Sequence, residues 1–304
     1  MPSTATIMSG DPGRPDLLAR RWAATGEPWA HVLVVHGLGE HSGRYEHVGD
    51  AMAEAGLEVH AYDQRGFGAS GGPKAYVDEW RDVHDDLEGQ LARVRAGAGD
   101  TPVVLYGHSL GGLIVLGFVL EGRSMPDLLV LSTPALDDYL PRWRHRLAPA
   151  LDRYLGRIRF PNRIRPAALA RTPRQGFDYG ERDPLVHRST TVHFGALAFE
   201  AQAAAVEALK QLDHLPVPTL VVQGSDDPLV PLSATARLER FPEVTRIVYP
   251  GYRHEVHNES DSPVVADTVA WLRSQLMGGD RGREAMRARV ALSATLPVST
   301  PNHS

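Results

Sequence analysis

Two serines stand in the pattern G-x-S-x-G, Ser70 within RGFGASGGPK (residues 65–74) and Ser109 within GHSLG (Gly107–Gly111). The spacing matters because a serine poised for nucleophilic attack sits on a sharp strand-to-helix turn, which closes only when the residues two before and two after it are small. Such a serine also needs a neutral histidine as base and a carboxylate to hold the other imidazole nitrogen. Downstream, SDDPLVP carries Asp226 and Asp227, and YRHEVHNE carries His254 and His257. Serine, acid and histidine therefore follow one another in an order known for acyl-transfer chemistry.

Context separates the two serines. Ser109 is preceded by the apolar PVVLY and followed by the helix-like LGGLIVLGFVLEG, so a strand runs into it and a helix leaves it. Ser70 follows a loop, and Pro73 with paired glycines stands where its helix would start. The same stretch offers Gly66, Gly68 and Gly71 as a G-x-G-x-x-G, but a pyrophosphate would find no helix N-terminus there. Neither a nucleotide nor a second nucleophile is expected at Ser70. The HEVH of residues 254–257 spaces its histidines three apart after a strand, whereas zinc proteases place them four apart on a helix, so no metal is expected.

Position and chain order favour His254 as the base, while the neighbouring Asp226 and Asp227 both remain candidates for the acid. An oxyanion hole needs two backbone N–H groups, one from the residue after the nucleophile, Leu110, and one from a loop after an earlier strand. VLVVHGLGE supplies that loop with Leu38 at its tip, and Gly37 and Gly39 permit close approach of the backbone to a substrate oxygen. For His36, His41 and His108, packing or polar contact behind the site is the expected role.

These residues need strands to present them. HVLVVHG, LEVHAYD, PVVLYGH, LLVLSTP, PTLVVQG and TRIVYPG are short, rich in β-branched residues and apolar without strict alternation, as in strands buried on both faces of a mostly parallel sheet. The class is α/β. From about Ala135 to about Leu215 no β-rich run occurs; helix-like pieces LPRWRHRLAPALDRYLGRIRF and FGALAFEAQAAAVEALKQL predict a helical insertion. A connection that long needs its own structure or a function as a lid. TVAWLRSQLM (Thr268–Met277) predicts a last helix, and residues 278–304, rich in Gly, Arg, Ser and Pro, predict a disordered tail with at most a short helix in REAMRARVAL.

Composition narrows the partners. Lys+Arg 32 against Asp+Glu 37 gives a net charge of -5 over 304 residues, which offers nucleic acid no electrostatic footprint. The chain has no cysteine, which removes disulfides and thiolate nucleophiles. The first residues lack a secretory pattern, and the longest apolar run, Leu110–Leu120, is too short to span a bilayer, so a soluble intracellular protein is expected.

The segments VVHGLGEHSGRYEHV, YDQRGFGASGG, GHSLGG, QGSDDPLV and PGYRHEVHNE resemble the corresponding parts of monoacylglycerol lipases, the monoglyceride lipase branch of the α/β-hydrolase superfamily. HGLGEHSGRY is the specific part, and the likeness runs from about Leu33 to Met277. It implies an α/β-hydrolase fold, a mostly parallel sheet flanked by helices, with a helical cap inserted after the sixth strand. Residues 1–134 and 216–277 would form the core and 135–215 the cap. It implies Ser109 as nucleophile, Asp227 as acid and His254 as base, with Leu38 and Leu110 as oxyanion donors. Glu40, Arg44 and His257 would line a polar end that receives glycerol, beside an apolar acyl tunnel under the cap. ERDPLVHR (Glu181–Arg188) is similar to a recurring cap stretch from which Arg182 departs. The implied activity is cleavage of monoacylglycerol to glycerol and fatty acid without cofactor or metal. A carboxylesterase or lysophospholipase would keep the same triad, and a catalytically inactive lipid-binding protein is the reading outside enzymology. The basic, Trp- and Tyr-bearing start of the insertion also suits transient contact with an anionic membrane surface, although Pro141 and Pro149 interrupt its pattern.

Overall fold

A computed structural model of the chain describes residues 3–10, 13–162, 164–174 and 182–278. Apart from Gly278, the tail expected to be disordered lies outside the described residues, as does Glu181. In chain order the strands are β1 (Thr4–Met8), β2 (Leu17–Trp22), β3 (Ala30–Val35), β4 (Leu57–Tyr62), β5 (Val103–His108), β6 (Leu128–Ser132), β7 (Arg159–Pro161), β8 (Ser189–Thr191), β9 (Thr219–Gly224) and β10 (Val244–Tyr249). The helices are α1 (Glu46–Glu54), α2 (Arg81–Ala98), α3 (Leu110–Leu120), α4 (Arg142–Leu155), α5 (Pro166–Leu169), α6 (Val192–Lys210), α7 (Leu232–Ala236) and α8 (Val264–Leu276).

Eight strands form one sheet in the order β1-β2-β4-β3-β5-β6-β9-β10. From β4 to β10 all pairings are parallel, and β1 and β2 add an antiparallel edge. Strands β3, β5, β6 and β9 are buried throughout, which explains their unbroken apolar runs. Side chains alternate between the faces: Leu33 and Val35 of β3 join the core under α2 and α3, while Val32 and Val34 join the one under α1 and α8 around Trp22, Met52 and Trp271. This is the α/β-hydrolase fold.

Sequence periodicity did not reveal β1 and β2. In β2 only Leu17 and Trp22 are buried, and its middle carries Arg20 and Arg21, which pair with Glu46 and Glu58. The insertion follows β6, the sixth strand, and also holds an unexpected two-stranded sheet of β7 and β8, three residues each and too short to stand out as runs. Its last helix, α6, places Phe194, Ala205 and Leu209 in the main core, so the structure draws that helix into the body of the domain. Pro141 stands just before α4, and Pro149 lies inside a helix that continues past it. Among the described residues no helix is long and apolar enough to cross a membrane.

Candidate active site

Parallel strands β3, β5, β9 and β10 end at the same edge, where the groups of open α/β sheets collect. At the end of β5 the chain turns sharply through Ser109, which has φ 53° and ψ −116°, and enters α3. A non-glycine residue held there costs about 1–3 kcal/mol, tolerated because the surroundings fix it. A Cβ on Gly107 would lie 2.4 Å from the Gly111 carbonyl oxygen, and one on Gly111 would lie 2.1 Å from that of Val35. Glycine at both positions is what lets the turn close.

His254 Nδ1 donates to Asp227 Oδ2 at 2.8 Å, and its Nε2 lies 2.9 Å from Ser109 Oγ. A carboxylate only accepts, so the ring proton sits on Nδ1 and the Nε2 lone pair faces the serine hydroxyl. Asp227 Oδ1 is fixed by the Leu229 and Val230 amides at 2.8 and 3.1 Å. Burial alone would lower the pKa of His254, but the charge and hydrogen bond of Asp227 outweigh it and hold the group above its ordinary 6.5. Asp226 is exposed and bonds Ser225 instead.

Leu110 is the first residue of α3, where an amide has no intrahelical acceptor. Leu38 occupies the turn after β3 together with Gly39, whose φ of +79° requires glycine. Both leucines line a cavity of about 520 Å³ that also exposes Ser109 and His254. Its walls are mainly apolar, with Leu140, Ile164, Leu169 and Phe199 from the insertion facing Leu113 and Val230 of the core.

Glu40 and Arg44 reach this cavity, but their charged groups are already engaged. Glu40 accepts from the Gly37 amide at 2.5 Å, from Tyr45 Oη at 2.8 Å and from Arg44 Nε at 3.1 Å. Burial would raise Glu40, yet His108, Arg44 and His36 bring it down to about 2. His257 is not among the lining residues. It is 1% exposed, stacked on Tyr45 with centroids 5.3 Å apart and edge-on to His108 at 4.8 Å, and neither ring nitrogen has a partner among the described residues. The short 3-10 turn Val256–Asn258 carries it beneath the site, which the three-residue spacing from His254 could not reveal.

The other polar residues act as supports. Ser70 Oγ donates to the Asp63 carbonyl at 2.5 Å and accepts the Leu18 amide at 2.9 Å, tying its loop to β2. His36 Nε2 accepts from the Gln64 amide at 2.9 Å, and His108, whose pKa burial lowers to about 3, places Nδ1 3.1 Å from Ser132 Oγ. His41 Nε2 donates to Asp183 Oδ2 at 2.7 Å, so the Asp183-Pro-Leu-Val stretch fastens the insertion to the core. Sequence reasoning missed Glu255, whose carboxylate takes both bonds of Arg44 Nη2 at 2.8 and 3.0 Å. It also missed Glu259, fully buried, which accepts the Arg171 and Thr172 amides at 2.7 Å.

The Hydrolase_4 family, described as serine aminopeptidase, S33, matches residues 26–261. The monoacylglycerol lipase of Mycolicibacterium smegmatis is 32% identical over 264 residues, spanning 84% of this chain and 92% of that protein. The chain belongs to the monoacylglycerol lipase family. Another relative, an uncharacterized abhydrolase domain-containing protein of Dictyostelium discoideum, is 27% identical over 297 residues, and the match spans 29% of that longer protein. Among solved structures, the monoacylglycerol lipase of Paleococcus ferrophilus superimposes with a TM-score of 0.71 at 26% identity, covering 90% of this chain and 98% of that one.

Proposed function

We propose that the protein hydrolyses monoacylglycerols to glycerol and free fatty acid through an acyl-enzyme on Ser109. The observation that carries this reading is the hydrogen-bonded line Asp227–His254–Ser109 opening onto an apolar cavity with a buried charged end at Glu40 and Arg44. His254 takes the Ser109 proton as Oγ attacks the ester carbonyl, and the alkoxide is held by the Leu38 and Leu110 amides. The imidazolium then protonates the departing glycerol oxygen, and water repeats the attack on the acyl-enzyme. Asp227 steadies the imidazolium throughout. The acyl chain occupies the apolar walls beneath the lid, residues 135–191 together with the facing side of α6.

The lid also carries the reading on location. Trp143, Leu147 and Leu151 recur every fourth residue of α4 and are 55%, 48% and 44% exposed, flanked by Arg142, Arg144, Arg146 and Arg153. A helix with apolar residues bared among arginines suits the surface of an anionic membrane, where this substrate resides. A cytoplasmic protein that docks there peripherally fits both features.

The test is fatty-acid release from monoacylglycerols of several chain lengths, beside p-nitrophenyl esters, a lysophospholipid, a dipeptide amide and a triacylglycerol emulsion, with Ser109→Ala as control. Monoacylglycerol turnover well above triacylglycerol turnover, lost in the variant, is the expected result. Serine-dependent activity confined to p-nitrophenyl esters or the lysophospholipid would overturn the substrate assignment and leave the triad standing.

A further inference from the structure

The loop bearing His254 follows β10 and the loop bearing Leu38 follows β3, so a reacting ester would be held between parts of the chain far apart in sequence. A buried ionic chain joins them. The Gly37 amide, one residue before Leu38, donates to Glu40 Oε1, and Glu40 Oε2 accepts from Arg44 Nε. Arg44 Nη2 then reaches both oxygens of Glu255, the residue covalently next to His254. Asn258 Nδ2 donates to Glu255 Oε2 at 2.8 Å, and the Glu255 amide donates to the Leu169 carbonyl at 2.7 Å. Glu40, Arg44 and Glu255 are 6%, 5% and 4% exposed, so bulk water does not replace these bonds.

We propose that Glu255 is a positioning residue for the hydrolysis: through Arg44 and Glu40 it sets the oxyanion loop against the base loop, and its charge lies beside the imidazolium formed at His254. The inference rests on the serine-hydrolase reading above and goes beyond it by giving a role to Glu255, which borders the cavity but stands outside the Asp227–His254–Ser109 line. Magnitudes favour this role over a purely structural one. A buried ion pair is often no more stabilising than apolar residues of the same volume. By contrast, displacing reacting groups by about 1 Å costs about a hundredfold in rate.

The electrostatics point the same way. Asp227 and Ser109 meet the ring nitrogens of His254, the His108 ring lies 5.1 Å away, and His257, Glu40, Arg44 and Glu255 stand around them. Burial keeps His108 and His257 neutral near pH 7. Burial raises the pKa of Glu255 and Arg44 opposes that rise; with both carboxylates ionised, the one guanidinium between them leaves a negative excess, which with Asp227 opposes the desolvation of the charged imidazole.

The test compares the full-length wild type, Ser109→Ala, Glu255→Gln and Glu255→Asp on a soluble p-nitrophenyl ester, reading kcat, KM, melting temperature and the acid limb of the kcat/KM profile. Glu255→Gln should lose about tenfold or more in kcat with little change in KM, and its acid limb should move to lower pH. Glu255→Asp keeps the charge on a shorter arm and should lower kcat with the limb unmoved. A wild-type kcat and limb in Glu255→Gln, or a change confined to melting temperature, would overturn the proposal. If Glu255→Gln does not fold, Glu255→Asp decides by its kcat, an unchanged value overturning the proposal. Loss of the parent reading is distinguishable, because the wild type would then show no turnover that Ser109→Ala abolishes.

Discussion

In the mechanism proposed above His254 is a base only when neutral, and Asp227 holds its pKa above the ordinary 6.5 despite burial. Activity should therefore fall as the pH drops through that raised value, giving a kcat/KM profile whose acid midpoint lies above 6.5. Asp227→Asn should leave the fold intact and lower kcat by about four orders of magnitude, since the wrong tautomer would face Ser109; single-turnover acylation rates measure this. Gly111→Ala tests the turn itself. Its new Cβ would meet backbone oxygens of Val35 and His36 at 2.1 and 2.6 Å, and overpacking of this kind costs about 1–3 kcal/mol. A melting temperature several degrees lower, with reduced kcat, is expected by calorimetry and steady-state kinetics. The serine, the histidine and the two glycines that the structure brings together stood out in the sequence because chemistry of the proposed kind fixes residue types at short spacings. Glu255 was not, because its meaning lies in Arg44, which stands 211 residues earlier. Only a folded chain makes that pair visible.

Elements follow the same division between local and distant signals. The central parallel strands could be read because each buries both faces, whereas β2 carries two arginines whose carboxylate partners come from α1 and β4. The lid helix α4 could be read as a helix, but not how it is held. His193 at the start of α6 places Nδ1 2.8 Å from Asp152 Oδ2 of α4 and Nε2 3.1 Å from the Asp78 carbonyl. Both partners accept only, so the full set of bonds needs the doubly protonated ring. Burial would lower its pKa, but Asp152 and the Asp78 carbonyl raise it overall above 6.5. A raised folded value means the bridge stabilises fully below the unfolded pKa and is lost as pH rises through the folded one. Hydrogen exchange in α4 should accordingly quicken as the medium passes from mildly acidic to mildly basic, beyond the intrinsic rate change. In His193→Gln that extra dependence should vanish; its persistence would assign the effect to another group.

At the scale of the whole molecule, the proposed chemistry and the proposed membrane contact fall on different parts of the chain. Ser109, Asp227 and His254 sit at the carboxyl edge of the sheet, while the bared apolar residues lie on α4, whose only buried residue is Ala148. The net charge of -5 disfavours an anionic surface overall, so the docking proposed above would come from the local arginines and apolar side chains of the lid. Fully burying a large apolar side chain contributes about 1.5–3 kcal/mol, and Trp143 and Leu147 are about half exposed, so together they supply roughly 2 kcal/mol, or about thirtyfold in binding. The double variant Trp143→Ser, Leu147→Ser should bind anionic vesicles about thirtyfold more weakly and lose activity on vesicle-borne long-chain monoacylglycerol in proportion. Its turnover of a soluble short-chain ester should stay near that of the wild type, because neither side chain lines the cavity. Sedimentation with vesicles and parallel assays on the two substrates read these quantities, with added salt weakening the arginine contribution. Equal loss on both substrates would instead place the two residues in the support of the acyl cavity.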